Sequence, residues 1–332
     1  MLLLLAGCAG PSGDEPAPTD APATLATVDA GDSVVLQGDG TWALRDGWAF
    51  RDWSRAFYAE HGDDYDFLAF FTDFDLGGVT QFAWATRIDV AGIGLAEQNE
   101  ERYGDGLGAD YTALAGSAGR LQAVLVMNSL DIADSWWLGA QDLVTHELGH
   151  RWGMGFRLPL SPEPTALFNN NGHWTPRLGQ DAASALSYGQ TTETAPGQFR
   201  SVRVEPLPYG SFDLYLMGLM ELDTVGELFY VANPEVVAPP TGDLTEVRPG
   251  TPVDFVGERV DLAPTDVVAA MGPRDPPVAA AQKDFRMAFV LVCRPTEPCG
   301  PSMVERLEAE RAAYPDTFAW ATRGLGTMDT EL

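Results

Sequence analysis

The chain has 332 residues, 45% of them hydrophobic, with nine Trp and sixteen Phe, enough to bury a sizeable core in one large or two modest domains. The 48 acidic residues outnumber 20 basic ones, of which Lys283 is the single lysine, for a net charge of -28. Such a surface repels polyanions, which excludes DNA, RNA and anionic membrane surfaces as partners.

In chain order, Met1-Leu2-Leu3-Leu4-Leu5-Ala6-Gly7-Cys8 reads as the end of an export signal with a small-residue cleavage site, although the basic stretch that opens such signals is missing and an upstream start is expected. Leu5-Ala6-Gly7-Cys8 resembles a bacterial lipobox, which implies a lipid anchor on Cys8 and a place in the cell envelope or outside the cell. Residues 9–26 are rich in Ala, Pro, Gly, Ser and Thr, the composition of a flexible tether. No later apolar run is long enough to span a bilayer. Ser33-Val34-Val35-Leu36 and Thr41-Trp42-Ala43-Leu44 flank Gly38-Asp39-Gly40 as a hairpin would. Trp48 to Glu60 has helical apolar spacing, and His61 follows as a solvated residue at its end. Asp66–Phe71 and Leu121–Met127 read as buried strands, and a helix is expected from about Ser135 to Trp152. After Gly153 the chain turns loop-rich. Phe212 to Met220 reads as an apolar helix broken by one carboxylate, residues 233–277 as Pro-rich and irregular, Phe285–Val292 as a strand and Pro301–Ala312 as an amphipathic helix. Cys293 and Cys299, around a Pro-containing turn in an exported chain, read as a short-loop disulfide.

The strongest chemical signal is His146-Glu147-Leu148-Gly149-His150. Residues four apart share a helix face, so His146 and His150 can aim both imidazoles at one metal ion. Glu147 is then placed to take a proton from an attacking water. A catalytic zinc takes three protein ligands, and the chain holds four histidines: His61, His146, His150 and His173. His173 is one candidate for the third ligand. Asp213 and Glu221 stay open as rivals, with a capping or buried, hydrogen-bonded carboxylate as the alternative reading of Asp213.

These residues resemble the zincin metallopeptidases, and among them the metzincins, whose pattern is HExxHxxGxxH followed by a Met-containing turn. The match holds at His146, Glu147, His150 and Gly153; Phe156 stands where the third histidine would be. Ser184-Ala185-Leu186-Ser187-Tyr188 is similar to the metzincin turn with Leu186 in place of Met. HELGHRWG, His173-Trp174, the run at 212–219 and the stretch at 318–327 also resemble a group of bacterial exported proteins of metalloprotease type. The resemblance implies an α+β, zincin-like metalloprotease fold with a mixed sheet, an active-site helix and a loop-rich lower part. It implies Zn²⁺ on His146, His150 and His173, Glu147 as general base and Tyr188 as oxyanion donor. It further implies a protein or peptide substrate paired on an edge strand, for which Leu121–Met127 is the candidate. The expected organisation is a signal remnant at 1–8, a tether at 9–26, a catalytic domain at 27–230 and a C-terminal extension at 231–332 packed on it, in a monomer. The departures at Phe156 and Leu186 keep open a surface binding or adhesion protein that has lost turnover, and because fold does not fix chemistry a metal hydrolase of non-peptide substrates stays open as well.

Overall fold

The computed structural model describes residues 26–30, 32–37, 49–76, 81–135, 138–153, 155, 172–238, 252–294 and 297–332. The signal-like start, most of the tether, the strand expected at Thr41–Leu44, Trp136, Trp137 and Phe156 lie outside them. The chain forms β1 (Ala26–Ala30), β2 (Ser33–Gln37), α1 (Ala49–Glu60), β3 (Phe67–Thr72), β4 (Phe82–Ala85), α2 (Leu95–Tyr103), β5 (Ala123–Ser129), α3 (Leu130–Ser135) and α4 (Ala140–Gly153). There follow β6 (Leu178–Gln180), β7 (Gly189–Ala195), β8 (Gln198–Arg203), α5 (Ser211–Met217), β9 (Leu228–Ala238), β10 (Val253–Asp261) and α6 (Pro264–Met271). The last elements are β11 (Asp284–Cys293), α7 (Pro301–Ala321) and β12 (Thr327–Asp329). The architecture is mixed α+β.

The first sheet runs β1-β2-β11-β3-β5-β4, with β12 beside β11. β2, β11, β3 and β5 are parallel, and β1 and β4 run antiparallel at the two edges. Its central strands carry long apolar runs, Phe67–Phe71, Ala123–Met127 and Met287–Cys293, because both faces are covered there. Phe67, Ala69, Phe71, Leu125, Met127, Phe289 and Leu291 face the core shared with α4 and α7, whereas Leu68, Phe70, Val124, Val126 and Val290 face Phe50, Trp53 and Phe57 of α1. This corrects the choice of edge strand: β5 lies between β3 and β4, and β4 forms the edge. Of the expected hairpin only β2 is described; it pairs with β1 on one side and β11 on the other. His61 does end α1, but its ring stacks on Phe57 at 4.5 Å instead of standing in solvent.

The helix expected from about Ser135 to Trp152 starts later, as α4 at Ala140, and a separate short helix, α3, precedes it. α7 runs nine residues beyond its expected end at Ala312, because Leu307, Arg311, Tyr314, Phe318 and Ala321 continue one buried stripe at helical spacing past Pro315.

The second sheet is antiparallel, in the order β6-β9-β10-β8-β7. Its strands occupy ground expected to be loop (178–203) and irregular chain (233–277). In β9, Pro234 is accommodated by a bulge: Ala232 pairs with Glu258 and Glu235 with Val256, leaving Asn233 and Pro234 opposite Gly257. A Cβ on Gly257 would come within 2.4 Å of Val231 Cγ1, so the close approach requires glycine. The domain boundary expected at 230 falls inside β9, and β11, from the C-terminal portion, is interior to the first sheet. The Cys293–Cys299 disulfide ties the end of β11 to the start of α7, with Cα atoms 5.1 Å apart. Among the described residues no helix is long and apolar enough to cross a membrane.

Candidate metal centre

α4 is buried almost throughout, as an all-round core helix rather than a surface one. Beneath it sits the turn Ser184–Tyr188. Ser184 Oγ accepts from Leu186 N at 3.1 Å and caps a short 3-10 turn, while Ala185 N donates to Pro208 O at 2.7 Å. Leu186 packs under α4 where the helix carries glycine. A Cβ on Gly149 would stand 3.2 Å from Leu186 Cδ2 and from the Tyr209 ring, and one on Gly153 would stand 2.1 Å from Leu186 Cδ1. A Cβ on Gly153 would therefore have to displace the Leu186 side chain. Tyr209 also donates its hydroxyl to Thr145 O at 2.5 Å, fixing the turn of α4 next to His146.

The turn orients the first histidine. Ala185 O can only accept, so His146 Nδ1 carries the proton in their 2.7 Å contact. The His146 Nε2 lone pair is thereby directed at His150 Nε2 and His173 Nε2, each 3.1 Å away, and at the Tyr188 hydroxyl at 2.9 Å. The Tyr188 ring stacks on His146 with centroids 4.3 Å apart, from a left-handed backbone at φ 57°. Among the described residues, His146, His150 and His173 form a group able to hold a metal ion, with ligand atoms within 4.8 Å of one another.

All three imidazoles are held neutral, the state a metal needs. Burial pushes His146 down to about 4 from 6.5; its bond to Ala185 opposes this and Arg203 adds to it. Burial and then the neighbouring histidines hold His150 and His173 well below the ordinary range. The residues present fit a cation: ring nitrogens crowd one point at 3.1 Å, where protons can satisfy at most some of the contacts. Nitrogens bound tetrahedrally at the usual zinc distance lie about 3.3 Å apart, close to the separations of His146 from His150 and from His173.

Glu147 follows His146 in α4 and is 2% exposed. Asp213 is corrected from rival ligand to support: Oδ1 accepts from Trp174 Nε1 at 2.7 Å and Oδ2 from Gly210 N at 2.9 Å. Glu221 lies beside Pro264, Thr265 and Val268, apart from the histidines. Two neighbours were not singled out from the sequence. Arg203, paired with Glu205 at 2.7 Å, sits at the end of β8 with its backbone opposite Gly189 and places a cation near Tyr188 and His146. Arg151, 1% exposed, reaches Asp89 at 2.6 Å and ties α4 to the segment after β4. No spacing signal marks Arg203; Arg151 was visible only as part of HELGHRWG. No family model, curated protein or solved structure matches this chain.

Proposed function

We propose that this chain is a zinc-dependent endopeptidase of zincin type, exported and anchored through Cys8. The observation that carries the reading is the convergence of three neutral imidazoles from α4 and the His173 segment, with Glu147 one residue from a ligand. His146, His150 and His173 would hold the ion. A zinc ion there supplies a Lewis acid that polarises the scissile carbonyl and makes water acidic enough to react near neutral pH. Glu147 takes the proton of the attacking water on its carboxylate and passes it to the leaving amine. The Tyr188 hydroxyl, already at the meeting point of the ring nitrogens, donates to the oxygen that becomes negative.

The substrate pairs in extended form along β4. That strand is the sheet edge, α4 packs beneath it and β5, and an edge strand offers backbone donors and acceptors for an added chain. Leu186 fills the place of the expected Met as an apolar prop, so that departure leaves the ligand geometry intact.

The test is cleavage of an unfolded protein by the purified chain, beside Glu147→Gln and beside wild type with a zinc chelator. The expected result is cleavage that falls at least about a thousandfold in Glu147→Gln, whose folding and metal content are unchanged. A folded, zinc-loaded wild type that cuts no peptide bond would sink the peptidase reading.

A further inference from the structure

His173 is the ligand that no helix holds. His146 and His150 are fixed by the hydrogen bonds of α4, while His173 precedes β6. What fixes it is its neighbour. The Trp174 backbone N–H donates to Leu186 O at 3.0 Å, its indole N–H donates to Asp213 at 2.7 Å, and its ring rests on Phe212 at 5.6 Å. With Trp174 held at both ends, His173, one peptide bond away, has little freedom.

Asp213 does more than this single bond. The Ser184 hydroxyl and the Gln180 amide also lie near enough to help hold its carboxyl down. Ser184 opens the turn whose Ala185 carbonyl sets the His146 tautomer and whose Tyr188 reaches the meeting point of the histidines. One carboxylate thus joins the segment that carries His173 to the turn that orients His146. Its role in capping α5 accounts for Oδ2 alone, through Gly210 N. Asp213 is 2% exposed, and no arginine, lysine or histidine pairs with it among the described residues. Burial pushes the Asp213 carboxyl above its usual range, and its hydrogen-bond donors oppose that shift.

We propose that Asp213 is a positioning residue of the metal centre, holding His173 in register with the Ser184–Tyr188 turn. The proposal rests on the metal reading above. It touches no ligand atom: it acts through Trp174 and Ser184.

The experiment is chelator-competition titration of the full chain with Zn²⁺, and with Co²⁺ for its visible spectrum, on wild type, Asp213→Asn, Trp174→Phe and the double variant. Asp181→Asn is the control, because Asp181 also caps α5, through Ser211 N at 3.2 Å, without touching Trp174. Both single variants should bind about 10- to 100-fold more weakly, as outer partners of metal ligands do, with an altered Co²⁺ spectrum. The double variant should be little worse than the weaker single, since both act through one hydrogen bond. The control should match wild type. Folded variants within about twofold of wild type, on the same error scale, would overturn the proposal while leaving the metal reading intact. A wild type that takes up no metal would overturn both. Should Asp213→Asn fail to fold, Trp174→Phe removes the indole N–H from the other side, together with part of the buried ring, and its metal affinity decides the matter.

Discussion

The two sheets treat apolar sequence in opposite ways. In the first, β3, β5 and β11 are buried on both faces and every position from Phe67 to Thr72 is covered. In the second, the outer halves of β9 and β10 alternate between partly buried and exposed, and a small cluster of Phe199, Phe229, Val231, Val253 and Phe255 suffices. The candidate metal centre draws on both: α4 lies on the first sheet, while His173 and Tyr188 directly precede or border strands of the second. Two ligands thus stand on a helix packed against the fully buried sheet, and the third is supplied by a lighter part of the molecule, where individual hydrogen bonds hold it.

Four measurements break or sharpen that contrast, from the largest expected effect down. Phe70→Ala in β3 should cost about 4 kcal/mol in denaturant unfolding, and Phe255→Ala in β10 under about 3, because the smaller cluster relaxes more easily; the reverse order would remove the distinction between the sheets. Asp89→Asn should cost about 3 kcal/mol, since it leaves the buried Arg151 without its anion. Arg151→Met should cost less, because Asp89 keeps Arg87 at 2.6 Å, and equal costs would contradict this account of the pair. Cys293→Ser with Cys299→Ser should cost about 2 kcal/mol, the entropy of a loop this short, read as a lower midpoint with an unchanged m-value.

The fourth concerns acid. The metal-free unfolded chain protonates its histidines below about pH 6.5, whereas His146 in the folded state resists protonation until about 4. Stability from this group is therefore complete above pH 6.5 and lost as pH falls toward 4, at about 1.4 kcal/mol per pH unit in the steep part. His150 and His173 add to the slope in the same direction. Urea midpoints from pH 7 to 4.5 for wild type and His146→Ala measure it, and identical slopes in the two proteins would contradict it.

Much of the site was legible because the residues involved are few. With four histidines in the chain, the HExxH pair left His61 and His173, and His61 lies at the end of a helix against Phe57. β3, β5 and β11 were legible because burial on both faces leaves an unbroken apolar run. β9 was not, since Pro234 reads as a breaker and the bulge opposite Gly257 that accommodates it is a property of the paired strand. β4 is four residues long and has no pattern of its own; its partner β5 defines it. Asp213 could be read as ligand or as buried hydrogen-bonded carboxylate, and the indole of Trp174 decides for the second. That pairing spans 39 residues, and only the fold brings it about.

The central claim is that His146, His150 and His173 together hold one metal ion. Elemental analysis of the purified full chain, beside His146→Ala, His150→Ala and His173→Ala, tests it most directly. The account predicts about one zinc per wild-type chain and essentially none in each folded single variant, because a site of this kind needs all three nitrogens. Full zinc occupancy in His173→Ala would contradict the ligand set, and a folded wild type that takes up no metal would contradict the site itself.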